Sequence, residues 1–461
     1  MRISAARSGP IEEGMRRIRD ELDVPGPFPV EVIAAARTAS RREPGPEHVD
    51  RTDLAFVTLD PAQSTDLDQA FCLETSGTDL VLRYAIADVG WFVQPGDPLD
   101  LEAWRRGTTM YLPDGKAPLY PPVLSERVAS LLPDGPRPAV VFTVRLDAEG
   151  AARLDGVERA IIRSRAKLAY ETVSLQELPP ELPEFSRRMA AADLRRGAAR
   201  VDPPEQEVER DEGGYRLTYR PRRAAEEHNA SLSLATNLAV GAALLEARTG
   251  LFRVMDEPDE RNIERLRHTA RAMAITWPHE MTLGQFERTL DPTDAGHAAI
   301  MLAIRRAGGG ARYVPFSDGV VPWHAAMAAT YSHATAPLRR LQDRHVVLAA
   351  LAVANNQAVP DVVSAAFPDL PDVMRRADAM GNQIDRAVLD LVEAVVLLGR
   401  EGTTYEAVVT DVDERGARIQ LSHEAVVARV NTDGLTPGEF VRVKLLEASP
   451  AQRLVRFERV A

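Results

Sequence analysis

The sequence predicts an α+β protein in three parts. These are a small N-terminal helical module over residues 1–50, a large mixed α/β body over 51–399 and a five-stranded barrel of OB type over 400–461. Three observations carry this. A helical pattern broken by prolines and glycine fills the first fifty residues. Strand-like runs begin at Asp53, and the end of the chain changes again to short β-rich runs.

Pro10–Leu22 and Pro29–Arg42 read as two helices, split by Pro25-Gly26-Pro27 and followed by a linker at Glu43–Pro46. They form a helical cap or a helix-turn-helix-like contact module. Leu54–Leu59 and Leu80–Val89 read as strands, residues 101–165 mix short strands with proline-rich loops, and Leu168–Gly399 is mainly helical, with a long amphipathic stretch at Asp372–Leu398. The barrel rests on five runs: Thr404–Thr410, Ala417–Ser422, Val426–Val430, Glu439–Ala448 and Arg453–Val460, with turns at Gly416, Gly434 and Gly438. Small barrels of this type commonly hold single-stranded nucleic acid.

Composition narrows the class. With 461 residues, 45% hydrophobic and 27% charged, the chain can bury the cores of several domains. No apolar run approaches the roughly 18 residues a membrane helix needs, so no membrane partner is expected. Cys72 is the lone cysteine, which rules out an internal disulfide, and Met1–Gly14 has no signal-type apolar stretch. A cytoplasmic monomer is the expectation. The net charge of -12 weighs mildly against a purely electrostatic nucleic-acid binder. The basic residues are mostly arginine, whose planar fork suits phosphate.

The chemistry centres on Asp60, Asp66 and Asp68. Asp60 ends an apolar run, and Asp66 and Asp68 follow after a short loop with i, i+2 spacing, which turns both carboxylates the same way on extended backbone. Converging acids repel unless a cation joins them, and hard oxygen ligands select Mg2+ or Mn2+. The bare spacing also fits a solvated acidic loop.

The surroundings decide between these. Thr58-Leu-Asp60 with Asp66-Leu-Asp68-Gln69-Ala70 resembles the T-I-D and D-x-D-D-A motif of the RNB exoribonucleases of RNase II and RNase R type. Further matches follow in family order: Ala85-Ile-Ala-Asp88-Val, Arg106-Gly-Thr-Thr-Met-Tyr111-Leu-Pro113, the proline-rich Leu119–Leu132, Ser164–Tyr170, and Thr335-Ala-Pro337-Leu-Arg339-Arg340 with Asp343. The likeness runs from about residue 52 to 345 and continues more weakly to 395.

The resemblance implies hydrolysis of single-stranded RNA from its 3′ end to nucleoside 5′-monophosphates with two Mg2+ or Mn2+ ions. It implies Asp60, Asp66, Asp68 and Gln69 around the metal, with Asp68, Asp66 and Arg339 in the chemistry. Arg339 matches the arginine on the scissile phosphate, and Arg340 would hold a neighbouring phosphate or a structural acid. Tyr111 and Tyr170 match aromatics that stack near the RNA 3′ end. Two departures stand out. Gln69 occupies the place of a fourth aspartate, and the helix Asn229–Asn237 has no acid where the family carries a glutamate, leaving Ser231 as the candidate ribose contact. Fifty residues of helical pattern also cannot encode the two cold-shock barrels that precede this domain in RNase II.

Overall fold

The computed structural model describes residues 2–4, 8–198, 205–211, 214–220, 223–291, 294–413, 416–430 and 434–460. Its body is built on a five-stranded sheet in the spatial order Val49–Asp50, Ala152–Ile162, Arg137–Leu146, Asp79–Ala87, Gln69–Ser76. The last four run antiparallel in successive pairs, and only the first pair is parallel. Ala139, Val140, Val141, Phe142, Val144 and Leu146 are all buried, so the sheet's middle strand reads as a nearly unbroken apolar run. The helices Ala224–Glu246 and Leu341–Ala354 pack against this sheet, as the mainly helical reading of that region anticipates.

That reading missed a hairpin. Glu205–Asp211 pairs with Gly214–Arg220, and the second of these strands also takes up Arg2–Ser4 from the N-terminus. The alternation in Glu205–Arg220 is dominated by charged residues, so its apolar face, Tyr215 and Leu217, is too short to register as a period.

The two N-terminal helices, Ser8–Glu21 and Val30–Ala39, seat on different parts of the molecule. Val32, Ala36 and Ala39 join the core of the body. Ile11, Met15 and Ile18 instead enter a second apolar cluster with Leu391 and Val395 of the long helix Leu370–Leu397 and with the barrel interior. The contact is close: a Cβ on Gly14 would stand 2.5 Å from a methyl of Leu391. Arg453 and Glu21 add an ion pair at 2.5 Å between barrel and helix.

The barrel is closed, in the order Thr404–Asp413, Gly416–Leu421, Val427–Val430, Leu454–Val460, Phe440–Ser449. All five expected runs form strands of it. Closure leaves no free edge, and Gly416–Leu421 alternates buried Ala417, Ile419 and Leu421 with less buried neighbours.

The seam between the long helix and the barrel carries a buried acid. Glu393 Oε1 accepts from Val427 N at 2.8 Å and from Gln206 Nε2 at 2.6 Å. Burial nonetheless lifts its carboxyl to about 8 from an ordinary value of 4.5. The folded chain therefore binds this proton more tightly than the unfolded chain. The stabilisation is fully present below about pH 4.5 and is lost as pH rises through 8. Glu393→Gln keeps an oxygen for both donors and removes the buried charge. Its melting temperature should be a few degrees above wild type at pH 8.5, with the difference vanishing at low pH. Thermal unfolding across that range checks this, and a variant less stable than wild type at pH 8.5 would contradict it.

Candidate active site

The strand Thr58–Asp60 lies parallel to Lys167–Ala169, with Ala169 opposite Asp60. Asp60 thus stands at a strand end, as the sequence suggests. The loop that follows is held from several sides. Lys167 Nζ donates to Ala62 O and Ser64 O at 2.8 and 2.6 Å. Ser130 Oγ accepts from Leu67 N at 2.9 Å and donates to Thr65 O at 2.7 Å. Leu67 is wholly buried, so its neighbours Asp66 and Asp68 are turned together away from the core.

Asp68 is the most enclosed of the acids, at 4% exposure. Its Oδ1 accepts from Leu338 N at 2.7 Å, and its Oδ2 lies 3.2 Å from Arg339 Nε. Burial raises its carboxyl to about 7 against the pull of Arg339 and the Leu338 amide. Asp60 is likewise lifted by burial, to about 6, against Arg339, with Asp66 adding to the rise. Among the described residues, none donates a hydrogen bond to the Asp60 carboxylate. Buried acids lacking sufficient positive charge fit a bound cation.

The four-residue ligand set expected from the sequence is not assembled as one cluster. Among the described residues, no group of three His, Cys, Asp or Glu is arranged to hold a single ion. Gln69 is engaged at both ends: its Oε1 accepts from the Tyr84 hydroxyl, and its Nε2 donates to Thr335 O at 2.6 Å. Asp66 has Tyr111 Oη at 3.3 Å and Lys116 Nζ at 2.9 Å. A Mg2+-type ion needs few carboxylates, because water and substrate phosphate complete its shell. Asp60 and Asp68 suit that arrangement.

Arg339 is brought to the acids by a loop pinned along its length. Thr108 Oγ1 and Thr109 N both donate to Arg339 O, at 2.6 and 3.0 Å. Ala336 N donates to Asp343 Oδ2 at 2.7 Å. Arg340 points elsewhere. It meets Asp343 through two bonds, Nε–Oδ1 at 3.0 Å and Nη2–Oδ2 at 2.6 Å. Of the two roles read for it, the partner the structure gives it is the acid, and its guanidinium is not presented as a free phosphate contact.

Tyr111 is half exposed, with its hydroxyl at Asp66. Tyr170 is partly buried, and its hydroxyl accepts from Asn229 Nδ2 at 2.6 Å. Ser231 is partly buried, and its hydroxyl donates back to Glu227 O of its own helix at 3.0 Å. No contact ties it to the acids.

The sequence reading missed Lys116, Tyr84 and Asn229. A signal existed for Lys116: Pro113-Asp-Gly115 is a turn sequence, and pairing across it sets Lys116 opposite Tyr111.

Comparison with known proteins gives the family and the fold. The RNB domain model matches residues 48–353, and the model of the RNase II-type exonuclease C-terminal S1 domain matches 403–460. The chain belongs to the RNB family. Ribonuclease R of Aquifex aeolicus is 26% identical over 463 residues, covering 94% of this chain and 64% of that protein. Ribonuclease R of Escherichia coli is 39% identical over 128 residues, 27% of this chain and 16% of that protein. The chain thus spans just under two thirds of the Aquifex relative, and 63% of the Thermotoga maritima Ribonuclease R. Two solved structures share the fold. Mycoplasma genitalium RNase R, in complex with ribose methylated single-stranded RNA, superposes with a TM-score of 0.85 at 19% identity, covering 98% of this chain and 78% of that one. Yeast Ssd1, described as a pseudonuclease, gives 0.70 at 16% identity, covering 94% and 57%. No helix among the described residues is long and apolar enough to cross a membrane.

Proposed function

We propose that the chain is a metal-dependent exoribonuclease that hydrolyses single-stranded RNA from its 3′ end and releases nucleoside 5′-monophosphates. The observation that carries this is Arg339 lying 3.2 Å from buried Asp68, beside Asp60 and Asp66, within a domain of the RNB family. A divalent cation such as Mg2+ or Mn2+, when bound, lowers the pKa of a water and offsets charge on the leaving 3′ oxygen. Asp60 and Asp68 would hold it, with Asp66 adjoining.

The chain's own residues supply the rest. Arg339, anchored through its backbone by Thr108 and Thr109, presents a fixed positive charge for the scissile phosphate and for the negative charge that develops on it. Tyr111 and Tyr170 offer ring faces to the terminal bases. Stacking tolerates any base at roughly 1–3 kcal/mol each, which suits degradation without sequence preference. The barrel would hold RNA upstream of the cut. We further propose that residues 1–50, 51–399 and 400–461 are its three functional units.

A second reading has one specific observation behind it. Gln69 gives a neutral amide, already held by Tyr84 and Thr335, where the family resemblance expects a carboxylate. On that reading the chain binds RNA and turns it over weakly. A 5′-labelled oligoribonucleotide incubated with and without Mg2+ separates the two. The exonuclease gives a ladder shortening from the 3′ end only with metal. Retention of intact RNA on the protein with Mg2+ or Mn2+ present would favour the second reading. A DNA oligomer of equal sequence tests sugar choice in the same assay.

A further inference from the structure

The hairpin formed by Met110–Leu112 and Gly115–Ala117 sets two donors on one carboxylate. Tyr111 and Lys116 are opposite each other in its register. The tyrosine hydroxyl donates to Asp66 Oδ2 at 3.3 Å, and the lysine ammonium lies 2.9 Å from Asp66 Oδ1. Both oxygens of Asp66 therefore face a donor. Lys116 is braced from its other side by Glu126 Oε1 at 3.1 Å, and its side chain is only 21% exposed. This is a seated cation within the centre rather than a solvated surface lysine.

We infer that the Lys116 ammonium takes the place of one of the two divalent ions expected at such a centre, so that this chain works with a single ion held by Asp60 and Asp68. The inference rests on the metal-dependent reading above. Charge is the first reason. Asp60, Asp66, Asp68 and Glu126 face the cations Arg339, Lys116 and Lys167, which leaves one net negative charge. One divalent ion turns this into one net positive charge, which a phosphodiester neutralises. Two ions would leave the centre strongly positive even with substrate in place, a costly state where water is scarce. Geometry is the second reason. A second dication seeking Asp66 would have to displace an ammonium braced by two carboxylates. The third reason is independent of Lys116. Gln69 adds no negative charge, and its oxygen is already accepting from Tyr84, so the centre has not gained a ligand to recruit another ion.

Counting Mn2+ on the full chain tests this, by calorimetry and by the paramagnetic resonance of free Mn2+. The Asp60→Asn/Asp68→Asn double variant serves as the blank for unspecific binding to an acidic protein. Wild type should bind one ion above that blank. Lys116→Met should bind a second, or bind the first at least tenfold more tightly, and Lys116→Arg should restore the wild-type count. Lys116 is partly exposed, and Lys116→Gln gives a second neutral variant should the methionine form fail to fold. Two ions in wild type, or a count and affinity unchanged in both neutral variants, overturns the inference. The readout does not depend on hydrolysis. A chain that binds one ion yet never shortens RNA would defeat the proposed function while leaving the role of Lys116 standing.

Discussion

An Asp68→Asn chain should lose hydrolysis by on the order of 10³-fold, about 4 kcal/mol of transition-state stabilisation, while holding RNA as tightly as wild type. The substitution is nearly isosteric. The asparagine oxygen can still accept from Leu338 N, so the loop that carries Arg339 keeps its seat. What goes is the charge that a cation needs and that Arg339 faces at 3.2 Å. Binding should survive because Tyr111 and the barrel, the proposed RNA contacts, lie outside this substitution. Single-turnover cleavage of a labelled oligoribonucleotide, paired with a filter-binding isotherm, reads both properties. Undiminished cleavage would remove Asp68 from the centre, and a matched loss of binding would make it a structural residue.

Asp343→Ala should produce the largest loss of stability, roughly 3–5 kcal/mol, the usual cost of stranding one member of a buried ion pair. Asp343 is wholly buried at the start of the helix Leu341–Ala354. One carboxylate accepts from Ala336 N, from Arg340 through two bonds and from Gln342 Nε2. Removal leaves an arginine and a backbone amide without acceptors in the interior. The same carboxylate shapes the turn that presents Arg339, so hydrolysis should fall with stability. Urea unfolding measures the first effect. Asp343→Asn, which keeps an acceptor for the amide, should lose clearly less, and equal losses in the two variants would contradict the explanation.

What could be read from the sequence depended on how local the cause was. Asp60, Asp66 and Asp68 were legible because a strand end and an i, i+2 spacing are short-range features, and family motifs in order gave them meaning. The barrel was legible because its strands follow one another with glycine at the turns. Arg340 was legible as a charge, yet its partner was settled by the turn at Ala336, which no spacing reveals. The state of Gln69 depends on Thr335, remote in sequence, and on Tyr84 across the sheet. Lys116 reaches Asp66 only once the hairpin folds over the acids. Such pairings arise from tertiary placement, and residue type announces only that some partner must exist.

The seat of the first helix carries a consequence for how the chain is made. Ile11, Met15 and Ile18 leave the ribosome well before Leu391, Val395 and the barrel, which build the surface they occupy. Until those later residues are made, that apolar stripe has no native place to go. A message cut short before the barrel would yield a chain displaying it permanently, a signal that quality-control proteases and chaperones read readily. In this chain the presence of the barrel is thus reported by the first helix.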